Sequence, residues 1–183
     1  MKNIYIIGVP RSGKTTLSKL IKNKFPIYNH IIFEAVRNGF IETQPQLDMD
    51  ERTSEARKNI LPRHIVTMAY WNNKISSNPT LIEGSFCSVK ELSELVSFDD
   101  VIICLGLGCR SLDEIISKII ENDSDDDYTK DWSFERLKKH FYNIEEEDKN
   151  NFNFCMNNNI KYYDMFLDRE KTFSEILDYI GDL

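Results

Sequence analysis

The sequence lacks several of the signals that would assign a protein to a class. Its four cysteines include no CxxC pair, and its three histidines lie far from them along the chain, so we expect no zinc site. No apolar run approaches the length needed to span a bilayer. The apolar stretch near the N-terminus is broken by Pro10 and Arg11, too early for a signal peptide. We therefore expect a cytoplasmic protein with reduced cysteines.

Positive charge is also scarce. The chain has 23 Lys and Arg against 30 Asp and Glu, which gives a formal net charge of −7. Such a surface repels nucleic acid and anionic membranes, so neither is an expected partner unless a local basic cleft overrides the overall charge. Internal repeats and linkers rich in Pro, Gly or Ser are absent. We expect residues 1–183 to form one domain.

Strand-like and helix-like patterns alternate along the chain. Short runs of apolar, often β-branched residues predict five strands: Asn3–Gly8, Ile31–Phe33, Thr80–Glu83, Val101–Leu105 and Ile160–Phe166. Ser or Thr followed three residues later by Glu predicts helix N-termini at Ser88, Ser111 and Thr172. The alternation predicts an α/β fold, with a parallel sheet covered by helices on both faces.

The segment Gly8–Thr15 (GVPRSGKT) matches the pattern G-x-x-x-x-G-K-[ST] and lies between a predicted strand and a predicted helix. We call it the phosphate loop. Gly8 and Gly13 permit the backbone turns that direct N–H groups inward and form an anion-binding nest. Lys14 can reach the β- and γ-phosphates of a nucleotide, and the Thr15 hydroxyl can coordinate Mg²⁺. The predicted nucleotide-binding residues are Gly8, Pro10, Arg11, Ser12, Gly13, Lys14, Thr15 and Thr16.

Two missing motifs narrow the class of nucleotide-binding protein. A guanine-specific GTPase would carry Asn-Lys-x-Asp, and the nearest candidate, Asn73–Ser76, ends in the wrong residue. The Leu-Ser-Gly-Gly-Gln run of transporter ATPases is absent. The sequence resembles the nucleoside and nucleotide kinase-like group of P-loop proteins, which includes adenylate, shikimate and gluconate kinases. The resemblance implies a three-layer fold with strand order 2-3-1-4-5, a small helical lid, ATP and Mg²⁺, and a small-molecule phosphate acceptor.

The third predicted strand carries the second part of the resemblance. Leu81–Phe86 (LIEGSF) looks like the Leu-Ile-Leu-Asp-Gly-Phe stretch of adenylate kinases, although Cys87 and Ser88 replace the Pro-Arg that follows in that family. The resemblance implies that Glu83 holds Mg²⁺ through water and that Gly84 lets the substrate approach the backbone. The alternative is an acidic residue at a strand end that contacts solvent.

Acceptor binding is predicted to follow the second strand. In small-metabolite kinases of this group a carboxylate at that strand end orients the acceptor hydroxyl or takes its proton, and Glu34 stands there. Arg37, one helical turn later, could bind an anionic part of the acceptor. The alternative is a surface pair of Glu34 and Arg37. Weaker candidates in the following region are Asp48, Asp50, Arg52, Arg57 and Arg63.

The lid is expected within residues 112–137, a segment rich in aspartate. Arg110 and Arg136 are the cations that the resemblance predicts near the transferring phosphate. Arg169 could stack on adenine, and the alternative for it is a surface arginine at a helix start. The alternative for this segment is a solvated acidic loop followed by an ordinary charged helix. Further on, Glu145–Asp148 is expected to be the solvated beginning of a helix.

Three functions remain open from the sequence. The first is a kinase that phosphorylates a hydroxyl or phosphate of a small molecule, with Lys14, Glu34, Arg110 and Arg136 as catalytic residues. The second is a nucleotide-binding regulatory protein with slow hydrolysis and no small acceptor. The third is an end-healing kinase that acts on nucleic acid, which the net charge disfavours. The oligomeric state is left open.

Overall fold

A parallel sheet of five strands forms the centre of the computed structural model, which describes residues 2–49, 54–122 and 128–183. The strands are β1 (Ile4–Gly8), β2 (Asn29–Ile32), β3 (Thr80–Glu83), β4 (Val101–Gly106) and β5 (Lys161–Asp164), in the order β2-β3-β1-β4-β5. The predicted sheet and its strand order are therefore confirmed. Two candidate residues, Asp50 and Arg52, lie outside the described residues, as do the aspartates at 123, 125, 126 and 127 of the predicted lid segment.

Helices connect the strands and cover both faces of the sheet. They are α1 (Lys14–Lys24), α2 (Phe33–Thr43), α3 (Leu61–Ser76), α4 (Val89–Leu95), α5 (Leu112–Glu121), α6 (Phe134–His140), α7 (Ile144–Asn157) and α8 (Arg169–Gly181). A turn of π-helix, Ala56–Ile60, leads directly into α3. Capping boxes at Ser88 and Ser111 begin α4 and α5 as predicted.

The third predicted helix start was wrong. Helix α8 begins four residues earlier, because the side chain of Asp168 accepts a hydrogen bond from the Lys171 amide at 3.0 Å and caps the helix. Thr172 therefore lies inside the first turn of α8, where its hydroxyl donates to the Asp168 carbonyl at 2.7 Å.

Alternate residues of the central strands enter separate apolar clusters. Tyr5 and Ile7 of β1 belong to a cluster that contains residues of α3 and α4, whereas Ile4 and Ile6 belong to a cluster with α1 and α8. All residues of β1 and β4 are buried, as expected for parallel strands covered on two faces. A third cluster joins Val9 of the phosphate loop to apolar residues of α5, α6 and the start of α7.

The functional loops share one edge of this sheet. Because β1, β3 and β4 are parallel, the phosphate loop after β1 lies beside the segments that follow β3 and β4. Among the described residues, no helix is both long and apolar enough to cross a membrane.

Candidate functional site

The phosphate loop adopts a backbone that depends on glycine at its first position. Gly8 has φ of 136°, and a Cβ there would lie 1.9 Å from the carbonyl oxygen of Leu105 in β4. Gly13 and Arg11 also have positive φ, of 91° and 64°. The Ser12 hydroxyl donates to the Val9 carbonyl at 2.9 Å and closes the turn. The loop therefore changes direction sharply between β1 and α1.

Lys14 is folded across this loop. Its side chain is buried, and its ammonium group donates to the carbonyl oxygens of Gly8 at 3.1 Å and Val9 at 2.6 Å. Burial lowers the pKa of Lys14 to about 8, while nearby carboxylates, Glu83 first, raise it in part. The ammonium group is therefore a desolvated cation whose hydrogen-bond partners are neutral carbonyls. Anionic phosphate oxygens are stronger acceptors, so the arrangement favours replacement of the carbonyls by phosphate.

Thr15 and Glu83 form the oxygen-rich part of the site. Glu83 ends β3 and is 1% exposed, and the Thr15 hydroxyl donates to its two carboxylate oxygens at 3.3 and 3.5 Å. Burial, and then Glu34, raises the pKa of Glu83, whereas Lys14 and the Thr15 hydrogen bond lower it. Mg²⁺ in nucleotide sites typically takes one or two protein oxygen ligands and completes its shell with phosphates and water. The hydroxyl and the carboxylate fit that requirement.

The segment after β3 is tied to the phosphate loop. The Ser85 hydroxyl donates to the Gly8 carbonyl at 2.9 Å. A Cβ on Gly84 would lie 2.2 Å from the Cβ of Phe33, and its φ is 152°. The space left by the missing side chain of Gly84 is thus filled by Phe33. Contact between Gly84 and a substrate stays a prediction.

Glu34 and Arg37 lie on the first turns of α2, directly after β2. Glu34 is exposed, and its charge raises the pKa of both Lys14 and Glu83. Arg37 is half-buried and donates to the side-chain oxygen of Asn38 at 3.1 Å, rather than pairing with Glu34. Of these two residues, the structure brings only Glu34 into the electrostatic environment of Lys14.

Arg57, one of the weaker candidates, is more deeply placed than its position in a charged sequence segment indicates. It lies on the π-helical turn before α3 and is 8% exposed. Its guanidinium carbon is 5.8 Å from the centre of the Phe33 ring, and it donates to the Met49 carbonyl at 3.4 Å. A buried cation therefore lies behind the aromatic ring that contacts Gly84.

The predicted lid and adenine cations lie in different environments. Arg169 begins α8 and donates to the Arg11 carbonyl at 2.8 Å, so it contacts the phosphate loop.

Arg110 lies 5.3 Å from the centre of the Phe166 ring, and its buried Nε has no hydrogen-bond partner among the described residues. Arg136 lies 3.8 Å from the centre of the Trp132 ring. No contact with the phosphate loop is found for Arg110 or Arg136 in the part of the chain that is described.

The remaining members of the phosphate loop take simpler positions. Pro10 is half-buried, and Thr16 is exposed on the first turn of α1. A Cβ on Gly13 would lie 3.1 Å from the Phe173 ring of α8, so that helix packs closely on the loop.

Asp148 organises the loop after β4 and was missed by the sequence analysis. It is fully buried, and its carboxylate accepts hydrogen bonds from the backbone amides of Leu107 at 3.0 Å and Cys109 at 2.9 Å. The Tyr162 hydroxyl of β5 donates to the other carboxylate oxygen at 2.9 Å and accepts from the Gly108 amide at 3.1 Å. The expectation of a solvated helix beginning was therefore wrong at Asp148.

A sequence signal for this burial did exist. Asp148 falls on the same helical face as Ile144, Asn151 and Cys155, all of which are buried in α7. The run of four acidic residues from 145 to 148 obscured that spacing. Because Arg110 follows directly after Cys109, the Asp148 carboxylate fixes the backbone from which Arg110 projects.

The strand order and the phosphate loop together define a P-loop fold. The chain matches no protein-family model and no curated protein sequence. Its structure is similar to shikimate kinase from Bacteroides thetaiotaomicron, with 10% identity, a TM-score of 0.53, and coverage of 99% of this chain and 97% of that one.

Two further solved structures support the same conclusion. Shikimate kinase from Aquifex aeolicus shares 16% identity, with a TM-score of 0.59 and coverage of 98% of this chain and 96% of that one. A sugar kinase from Janibacter shares 13% identity, with a TM-score of 0.61 and coverage of 99% and 95%. At such low identities the structural likeness shows the fold alone. The resemblance inferred from the sequence is confirmed at the level of the fold.

Proposed function

We propose that this chain is an ATP- and Mg²⁺-dependent phosphotransferase that acts on a hydroxyl or phosphate of a small molecule in the cytoplasm. The observation that carries the proposal is the environment of Lys14. Its buried ammonium group lies across a glycine-bounded loop. The next residue, Thr15, donates a hydrogen bond to the buried carboxylate of Glu83. Similarity to kinases of known structure across almost the whole chain supports the same class.

The donor half of the reaction is assigned to the phosphate loop. Its inward N–H groups and Lys14 would bind the β- and γ-phosphates, and the positive end of α1 would add to their field. Thr15 and Glu83 would hold Mg²⁺, which supplies charge neutralisation at the transferring phosphate. Arg169 would keep the loop in place through the Arg11 carbonyl, beside the adenine side of the site.

The acceptor half is assigned to Glu34. Its carboxylate would orient the acceptor hydroxyl and take its proton while the hydroxyl oxygen forms a bond to the γ-phosphorus. The bond between the γ-phosphorus and the oxygen that bridges it to the β-phosphate breaks, and ADP leaves. Closure of the lid segment 112–137 would bring Arg110 or Arg136 to the transferred group and exclude water.

Coupled measurement of ADP production tests the proposal. A panel of nucleosides, nucleotides, sugars, hydroxy acids and amino sugars should contain one acceptor that raises turnover well above the basal rate. Lys14→Ala should abolish that stimulation. Lys24→Ala is the matched control, because Lys24 ends the same helix and its ammonium group makes an exposed ion pair with Asp178 and lies over the Phe25 ring. Stimulated turnover that survives Lys14→Ala would contradict the proposal.

Two further measurements distinguish the other two functions. Tight ATP binding without any stimulation by an acceptor would instead support the regulatory nucleotide-binding protein. Transfer of labelled phosphate to oligonucleotides with a 5′-hydroxyl would support the end-healing kinase.

A further inference from the structure

A cavity of about 570 Å³ opens at the edge of the sheet opposite to the phosphate loop. Two of its lining residues, Asn3 and Asp100, directly precede β1 and β4, whereas the phosphate loop follows the other end of β1. We call it the edge cavity, and its lining includes Asn3, Tyr5, Tyr70, Lys74, Leu95 and Asp100. The volume is within the range of small-molecule sites.

The central strands hold one wall of the edge cavity in place. Asn3 is 5% exposed, its side-chain oxygen accepts from the Thr80 amide at 2.8 Å, and its carbonyl accepts from the Val101 amide at 2.9 Å. Tyr5 of β1 is 1% exposed and lines the cavity. The wall therefore belongs to the sheet itself and needs no loop closure to form.

The edge cavity carries one negative and one positive side chain. Asp100 is half-buried and has no ion pair with a lysine or arginine in the described part of the chain. Burial raises the pKa of Asp100, although hydrogen bonds from Asn3 and Ser97 lower it in part. A carboxylate that has lost part of its hydration without gaining a cationic partner is stabilised by an ammonium group brought by a ligand.

Lys74 supplies the opposite charge from α3. It is exposed, and its ammonium group lies 5.5 Å from the centre of the Tyr70 ring. The Tyr70 ring also packs edge-on against Trp71, with the ring centres 5.4 Å apart. No carboxylate among the described residues pairs with Lys74, so its ammonium group is available to a carboxylate of a bound molecule.

The rest of the lining combines a hydroxyl with apolar surface. The Tyr5 hydroxyl forms no hydrogen bond to another described residue, whereas buried tyrosine hydroxyls usually have a partner. It can therefore bind a polar group inside the cavity. Val66 and Leu95 are half-buried and, with the Tyr70 ring, offer apolar contact to a ligand.

We propose that the edge cavity binds a free amino acid that has an apolar or aromatic side chain. The ammonium group of the ligand pairs with Asp100, and its carboxylate pairs with Lys74. Its side chain packs against Val66, Leu95 and the Tyr70 ring. A ligand with a single charge leaves one of the two charged residues without a partner, so the site selects a zwitterion. Binding here does not depend on the proposed kinase function.

Calorimetric titration of the protein in the absence of nucleotide tests the proposal. The probes are leucine, phenylalanine, tyrosine and tryptophan as free amino acids. Each is compared with the amine that lacks its carboxylate and with the acid that lacks its ammonium group, which for phenylalanine are phenethylamine and phenylpropionate. At least one amino acid should bind to a single site, and its Kd should be at least about tenfold below that of either analogue.

Two substitutions remove the charges one at a time. Asp100→Asn and Lys74→Gln should each raise the Kd of that amino acid about tenfold. Glu94→Gln and Lys90→Gln are the matched controls, because both residues are exposed on α4 and neither lines the cavity, so the Kd should stay unchanged. Urea unfolding checks that each variant is folded, and Lys74→Gln changes only an exposed side chain.

Tyr5→Phe separates a ligand contact from a structural role. It keeps the ring in the core and removes a hydroxyl that has no partner among the described residues. The urea midpoint should stay within about 0.3 M of the wild-type value, while the Kd of the amino acid rises about fivefold.

Three results would overturn the proposal. The first is the absence of saturable binding by all four amino acids. The second is an amine or acid analogue that binds as tightly as its parent amino acid. The third is an unchanged Kd in folded Lys74→Gln or in folded Asp100→Asn.

Discussion

Replacing Asp148 by alanine should destabilise the protein by about 3 kcal/mol. The change removes the acceptor of three hydrogen bonds, and each hydrogen bond to a charged group contributes about 1.5 kcal/mol or more. Part of that loss is recovered, because burial raises the pKa of Asp148 and removing the carboxylate ends the cost of its desolvation. The Leu107 amide is buried and stays unpaired, whereas the exposed Cys109 amide can bind water.

Urea unfolding followed by tryptophan fluorescence measures this effect. With a slope of about 2 kcal/mol/M, a loss of 3 kcal/mol lowers the midpoint by about 1.5 M. Tyr162→Phe is the matched control, since it removes one hydroxyl of the same network and should cost about 1 kcal/mol, or about 0.5 M. A midpoint for Asp148→Ala at or above that of Tyr162→Phe would refute the idea that the carboxylate is the centre of the network.

Three other predictions follow from the site. ATP affinity should fall as pH rises through about 8, because burial lowers the pKa of Lys14 and binding needs its protonated form; calorimetric titration should show this pH dependence lost in Lys14→Gln. Glu83→Gln should raise the Mg²⁺ concentration that gives half-maximal turnover about tenfold or more, and an unchanged requirement would remove Glu83 from the metal site. Gly84→Ala should lower the free energy of unfolding by about 2 kcal/mol or more, since its Cβ would meet Phe33. Gly39→Ala in α2, where a Cβ has no neighbour within 4 Å, should raise the free energy of unfolding by about 0.5–1 kcal/mol. Equal effects of the two substitutions would contradict this prediction.

The sheet and the phosphate loop were predictable because their signals are local. The alternation of apolar runs with helical spacing indicated the parallel sheet, and the resemblance supplied its order. Gly8–Thr15 is contiguous, so the spacing of its residues already determines which groups share the loop. Glu83 follows the same logic, because a strand end in a parallel sheet meets the neighbouring strand ends.

The sequence-based predictions that were wrong concern contacts between distant segments of the chain. The helical spacing indicates that Asp148 lies on the buried face of α7, but its hydrogen bonds to the loop after β4 join segments about 40 residues apart in the sequence. Phe33 was expected to end β2, yet it begins α2 and fills the space beside Gly84. Helix α8 starts earlier than predicted because Asp168, rather than Thr172, caps its N-terminus.

Phosphorus NMR of the reaction tests the central claim most directly. Wild-type protein, ATP, Mg²⁺ and a mixture of polyol and amino sugar acceptors should yield ADP together with a new phosphate ester resonance, in equal amounts. Lys14→Ala should yield neither. Production of ADP with inorganic phosphate alone, in the presence of every acceptor class, would contradict the assignment of this chain as a phosphotransferase.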